Sequence, residues 1–246
     1  VRVDFAQLLR DAWALFWRDR DLLLRVAGVF FFLPSFLLVL FVPPTPAPDP
    51  LITDREAQAQ AWMTALQGWL SDYGLGSFAA YVTGYLGLAI LFALYLSAGH
   101  PTLAEAIKRA FQHFPRFFLA MLVVAIPTGA GMYLLLIPGL WLMSRLFLTG
   151  PTILAEPRTS ALGAVARSWR ATRQAQWSLL GVVALVYLSG MLVGQPFLML
   201  GEWLTKQGAV NPVANAITGG AAAAVAMAAQ LASALIAVSA YRRLAR

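Results

Sequence analysis

Six apolar stretches of about 20 residues each, near 22–42, 76–98, 117–136, 139–156, 178–200 and 213–240, constrain this chain more than anything else in it. At 1.5 Å of rise per residue, a helix of that length matches the roughly 30 Å hydrocarbon core of a bilayer. An ordinary soluble domain is about 25% charged. Here only 12% of residues are charged and 60% are hydrophobic, which places the chain among integral membrane proteins. The expected fold class is all-α integral membrane, a single polytopic domain over 1–246 with six transmembrane helices. The first run is too long for a signal-peptide core and lacks a small-residue cleavage site, so it is read as a retained span. Six spans leave no room within these 246 residues for a soluble catalytic domain.

Fifteen of the eighteen Lys and Arg residues fall in segments on one side of those spans. They are Arg2, Arg10, Arg18, Arg20 and Arg25; Lys108, Arg109 and Arg116; Arg158, Arg167, Arg170 and Arg173; and Arg242, Arg243 and Arg246. Arg55 and Lys206 fall on the other side, and Arg145 lies within a span. The positive-inside rule then predicts a bacterial inner-membrane protein with both termini in the cytoplasm. Topology and anionic headgroups on the cytoplasmic side account for the net charge of +7, so membrane lipids are the expected partners and nucleic acid is not.

Three segments align without gaps: DFAQLLRDAW from Asp4, TLAEAIKRAF from Thr102 and SALGAVARSW from Ser160. Each opens on a helix-capping residue and closes on an aromatic nine positions later. Asp4 with Gln7 and Thr102 with Glu105 have capping-box spacing, whereas Ser160 faces Gly163. In each segment the apolar residues recur at helical intervals, predicting three amphipathic helices on the cytoplasmic leaflet, each followed by a transmembrane hairpin. The repeat units are then about 4–98, 102–156 and 160–240.

The outer turns differ. Pro138-Gly139 is expected to close the second hairpin at once. The first carries the polyproline-like stretch PPTPAPDP at 43–50, followed by a capping pattern from Thr53 to Glu56. Trp62, Leu66, Trp69 and Tyr73 then recur at helical spacing, predicting a helix on the outer leaflet. Gly190 and Gly194 form a GxxxG, and the small-residue run of the last span suits close internal packing. Pro34, Pro127, Pro151 and Pro196 are expected to kink their spans.

Chemistry is sparse. None of the eleven acids sits in the middle of a span, which weakens the case for ion-coupled transport. His100 and His113 lack metal-ligand spacing, no cysteine is present, and no nucleophile elbow, P-loop or dinucleotide fingerprint occurs. No enzymatic activity, cofactor or metal is expected. The exception to this quiet interior is Arg145, since a guanidinium in hydrocarbon is costly and marks a site by default. Glu156 is roughly 16 Å further along the same helix, beyond a direct pair. Asp72 and Glu202, near the outer ends of their spans, are the better candidate partners, with freed carbonyls or a lipid phosphate as alternatives.

The order IPGLWLMSRLFLTGPTILAE followed by ALGAVARSWRATRQAQW resembles the YciC-like bacterial six-span membrane proteins. It is also similar to the membrane domain attached to some glycerophosphoryl diester phosphodiesterases. The shared features fall on Pro138, Gly139, Arg145, Pro151, Glu156, Ser168 and Trp169. The resemblance covers about 45 residues closely and implies a membrane-domain role; in the phosphodiesterase relatives the reaction belongs to a separate soluble barrel, so no catalytic residue carries over.

Overall fold

A computed structural model describes residues 4–97, 99, 101–206 and 212–244. Arg2, His100 and Arg246 lie outside the described residues. Every helix or strand element among those described is helical. The order is α1 (Phe5–Ala27), a π-helical turn (Gly28–Phe32), α2 (Leu33–Phe41), α3 (Arg55–Leu96) and α4 (Leu103–Leu134). There follow α5 (Leu136–Leu146), α6 (Thr149–Ala155), α7 (Ala161–Ala171), a 3-10 turn (Thr172–Gln174), α8 (Gln176–Lys206) and α9 (Pro212–Leu244).

Five helices are long and apolar enough to cross a membrane: Phe5–Phe41, Arg55–Leu96, Leu103–Met132, Gln176–Leu204 and Pro212–Leu244. The expected fourth span, 139–156, is not one helix but the pair α5 and α6, separated at Phe147 and Leu148. Pro151 explains the break. It offers no N–H to the carbonyl four residues back, and its ring displaces that carbonyl, which belongs to Phe147.

The three aligned segments start with different caps. Thr102 and Glu105 form a complete capping box, and the Ser160 hydroxyl accepts from the Gly163 N–H. Asp4 makes no side-chain cap, contrary to the Asp4–Gln7 expectation. Their burial nevertheless keeps register. Four residues after the cap, Leu8, Ala106 and Ala164 are fully buried; eight after it, Ala12, Ala110 and Ser168 are buried. The aromatics at the ninth position, Trp13, Phe111 and Trp169, are exposed by 60%, 58% and 38%. These helices therefore dock through small or aliphatic residues and leave a large ring partly or largely exposed beside that face. The first runs into its span through a non-helical Asp19, the second through Pro115 within α4, and only the third, α7, is separate.

On the opposite side, the expected outer helix is instead the start of α3, whose 42 residues span roughly 63 Å. Its cap is Asp54, one residue later than the Thr53 pattern, accepting from Glu56 and Ala57 N–H groups. Trp62 and Trp69 do not stand free at headgroup depth. Their indole N–H groups donate to the carbonyls of Pro46 and Pro43, both at 2.9 Å, strapping the proline-rich segment along α3.

Gly190 and Gly194 face Ala229 and Val225, so the GxxxG packs α8 against α9 within the chain. The Pro138-Gly139 pair is not the turn itself. The chain reverses at the extended Leu135, and the pair lies in the first turns of α5. Gly139 is where α5 meets α4, because a Cβ there would lie 2.5 Å from the Met132 backbone nitrogen. Gly139→Ala is therefore expected to destabilise the protein by about 1–3 kcal/mol, the usual range for overpacking. Gly129→Ala, at a position with nothing within 4 Å, serves as the control in thermal unfolding and should not lower the midpoint.

Candidate functional site

α6 is short, yet all its residues from Thr149 to Leu154 are buried, packed among α3, α4, α7 and α9. Gly150 allows that depth, since a Cβ there would approach the Phe92 ring to 2.8 Å and the Phe117 ring to 3.2 Å. The break before α6 is consequently buried too, and its backbone groups require partners.

Those partners come from α7. The Ser168 hydroxyl accepts from the Leu148 N–H at 3.1 Å and donates to the Arg145 carbonyl at 3.0 Å. One side chain thus satisfies both strands of the interrupted helix. Thr172 places its hydroxyl 3.1 Å from the same carbonyl and 2.8 Å from that of Ser168, with a single proton to serve one at a time. Below the break, Thr152 turns its hydroxyl back onto the Leu148 carbonyl at 2.7 Å.

Arg145 completes the clamp in the other direction. The last carbonyls of a helix lack intrahelical donors and form its negative end. Arg145 Nη2 donates to the Trp169 carbonyl, in the last turn of α7, at 2.6 Å, and the guanidinium lies 4.5 Å from the Trp169 ring centroid. Trp141 packs edge-on against that ring at 5.4 Å. Arg145 is 3% exposed, and its Nε and Nη1 have no hydrogen-bond partner. No carboxylate reaches it among the described residues.

The acids expected near it are elsewhere. Asp72 is exposed on α3 and Glu202 is exposed near the far end of α8. Glu156 sits at the end of α6, where it forms a 2.7 Å salt bridge with Arg167 and accepts from the Tyr241 hydroxyl at 2.7 Å. It therefore joins α6 and α7 to α9. Arg116 of α4 donates to the Pro157 carbonyl beside it. Of the sequence motif, the structure unites Arg145, Ser168 and Trp169 at the break, places Pro151 just inside α6, and leaves Pro138 and Gly139 at the other end of α5. Thr172, Trp141 and Tyr241 were not foreseen as partners; the first lies on the apolar face of the third aligned helix, and nothing local marks the other two.

No family model, no curated protein and no solved structure matches this chain. The geometry therefore carries the functional argument alone. It offers a buried cation with two unpartnered guanidinium nitrogens, held by an aromatic ring and a helix terminus rather than by an acid among the described residues.

Loss of the Ser168 hydroxyl would strand the buried Leu148 N–H, at about 1–3 kcal/mol, and leave the Arg145 carbonyl to Thr172 alone. Ser168→Ala should lower the thermal midpoint clearly. Ser239→Ala should change it little, because that buried hydroxyl only returns to the Leu235 carbonyl of its own helix.

Proposed function

We propose that this is a non-enzymatic bacterial inner-membrane protein that handles or senses phospholipid, in the manner expected of a YciC-like six-span protein. The observation that carries this reading is the unfinished coordination of Arg145. A buried guanidinium without a counter-charge is costly. Trp169 offsets part of that cost, since a desolvated cation–π contact is worth about 2 kcal/mol. Nε and Nη1 still call for an acceptor, and the phosphodiester of an anionic lipid is the abundant one in a bilayer.

The aligned cytoplasmic helices support the same reading. The first two expose Trp13 and Phe111 and the third part of Trp169 beside basic residues, a pattern suited to the interfacial layer of an anionic leaflet. Trp13, Phe16 and Trp17 form one such aromatic patch, with Arg20 over the Trp17 ring. Their common burial register supports an internal repeat of three helix-plus-hairpin units. The path of α5 and α6 supports counting them as the fourth span. They return along α4 from Gly139, against Met132, to Pro157, against Arg116. Six crossings keep both termini and the three basic helices on the cytoplasmic side.

Native mass spectrometry of protein extracted with its own lipids tests the lipid reading. Arg145→Ala should lose anionic phospholipid that the wild type retains, whereas Arg145→Lys, keeping charge without the fork, should retain part of it. Unchanged retention by an Arg145→Ala protein of wild-type stability would contradict the proposal.

A further inference from the structure

A second polar feature lies far from Arg145, midway along three of the apolar helices. Pro34 ends the Gly28–Phe32 turn, which is π-helical: the Leu33 N–H bonds to the Gly28 carbonyl, five residues back. Such widened turns recur at functional positions in helices. Here the turn pushes Phe30 and Phe31 against α3, where only glycine accepts them. A Cβ on Gly87 would meet Phe30 at 2.5 Å and Phe31 at 2.7 Å.

One helical turn away, at Gly84, the space is not filled. The nearest atoms to a Cβ there are two oxygens, the Phe30 carbonyl and Gln230 Oε1, each at 3.9 Å. Around them lies a cavity of about 250 Å³ between the π turn, α2, α3 and α9, lined also by Ser35, Tyr81 and Tyr85. Gln230 is a primary amide near the centre of the last apolar helix, half-buried, with no hydrogen-bond partner among the described residues. Hydrocarbon offers it none either, so the amide is maintained at a cost. Among the described residues, the Ser35 and Tyr85 hydroxyls likewise bond to no other side chain or carbonyl.

We propose that this cavity binds the uncharged, hydroxyl-bearing end of a lipid-soluble molecule, a long-chain alcohol or an acylglycerol, whose tail leaves between α2 and α3 into the bilayer. The chemistry sets the class. No carboxylate, Lys or Arg lines the cavity, which disfavours a charged headgroup. An amide both donates and accepts, and the Phe30 carbonyl accepts, which together match a hydroxyl. The volume is below the usual range of about 300–1,000 Å³ for whole small molecules, so it suits one polar end. This site does not depend on an anion at Arg145.

The test uses the full chain in phosphatidylcholine nanodiscs and a hexadecanol carrying a photoreactive diazirine. Peptide mapping should place adducts on residues 30–38, 80–88 or around 230. Gln230→Leu should reduce labelling about fivefold, the loss expected for roughly one net hydrogen bond. It should do so without lowering thermal stability, while Arg145→Ala leaves labelling unchanged. Gly84→Val fills the cavity from the α3 side and should also abolish labelling. Oleyl alcohol and dioleoylglycerol should both compete, and the stronger competitor distinguishes a free alcohol from an acylglycerol. Equal labelling by the corresponding diazirine alkane would overturn the proposal, leaving a space filled by hydrocarbon or water only. Wild-type labelling of either variant would do the same.

Discussion

The hydroxyl of Ser168 joins the two halves of a helix that cannot be continuous. Pro151 removes a donor and displaces a carbonyl, and in a buried position the interrupted backbone has no water to turn to. By accepting from Leu148 and donating to Arg145, Ser168 makes the break part of the interface between α7 and the α5–α6 segment. The guanidinium of Arg145 bonds back to the end of α7, so the contact is reciprocal. α6, seated by Gly150 against Phe92 and Phe117, then delivers Glu156 to Tyr241 and Arg167.

That delivery matters because polar ties add to the apolar packing at the end of the bundle where Leu8, Ala12, Ala106, Ala110 and Ala164 are buried. Tyr95 donates to Asp19 at 2.8 Å, just where α1 bends, and Arg242 donates to the Tyr95 carbonyl at 2.8 Å. Arg243 pairs with Asp11 at 2.6 Å. With Glu156, these contacts connect α1, α3, α6, α7 and α9. Four of the basic residues that set the expected orientation, Arg116, Arg167, Arg242 and Arg243, therefore also hold the helices together. The expected electrostatic orientation and bundle assembly use the same side chains, while Trp13 and Phe111 at the ninth repeat position stay largely exposed and Trp169 packs on Arg145 and Trp141.

Much of this was legible in the sequence because it depends on local composition. Five of the six apolar runs are long helices, and the internal role of Gly190 and Gly194 followed from small residues on facing spans. The register of the three aligned segments was visible, but not which side of each helix meets the bundle. Trp13 closes the first aligned segment as a large aromatic, yet Leu8, Ala12 and Leu15 do the packing. Pro151 signalled a kink, yet the extent of the break depends on Ser168 and Thr172, which are distant in sequence. Trp62 and Trp69 read as membrane-interface aromatics because an indole suits both a headgroup and a proline carbonyl. Arg145 invited a search for an acid, whereas a helix terminus and a ring supplied its contacts.

The central claim of the account is that the broken α5–α6 segment crosses the membrane, carrying Ser168 and α7 to the cytoplasmic side. With no native cysteine, single-cysteine labelling by a membrane-impermeant maleimide tests it directly. Ile137 in the first turn of α5 is 74% exposed, and Ala166 after the segment is exposed on α7. In intact spheroplasts Ile137→Cys should react at once and Ala166→Cys only after permeabilisation. Equal reaction of both from the same side would mean that the segment enters and returns without crossing.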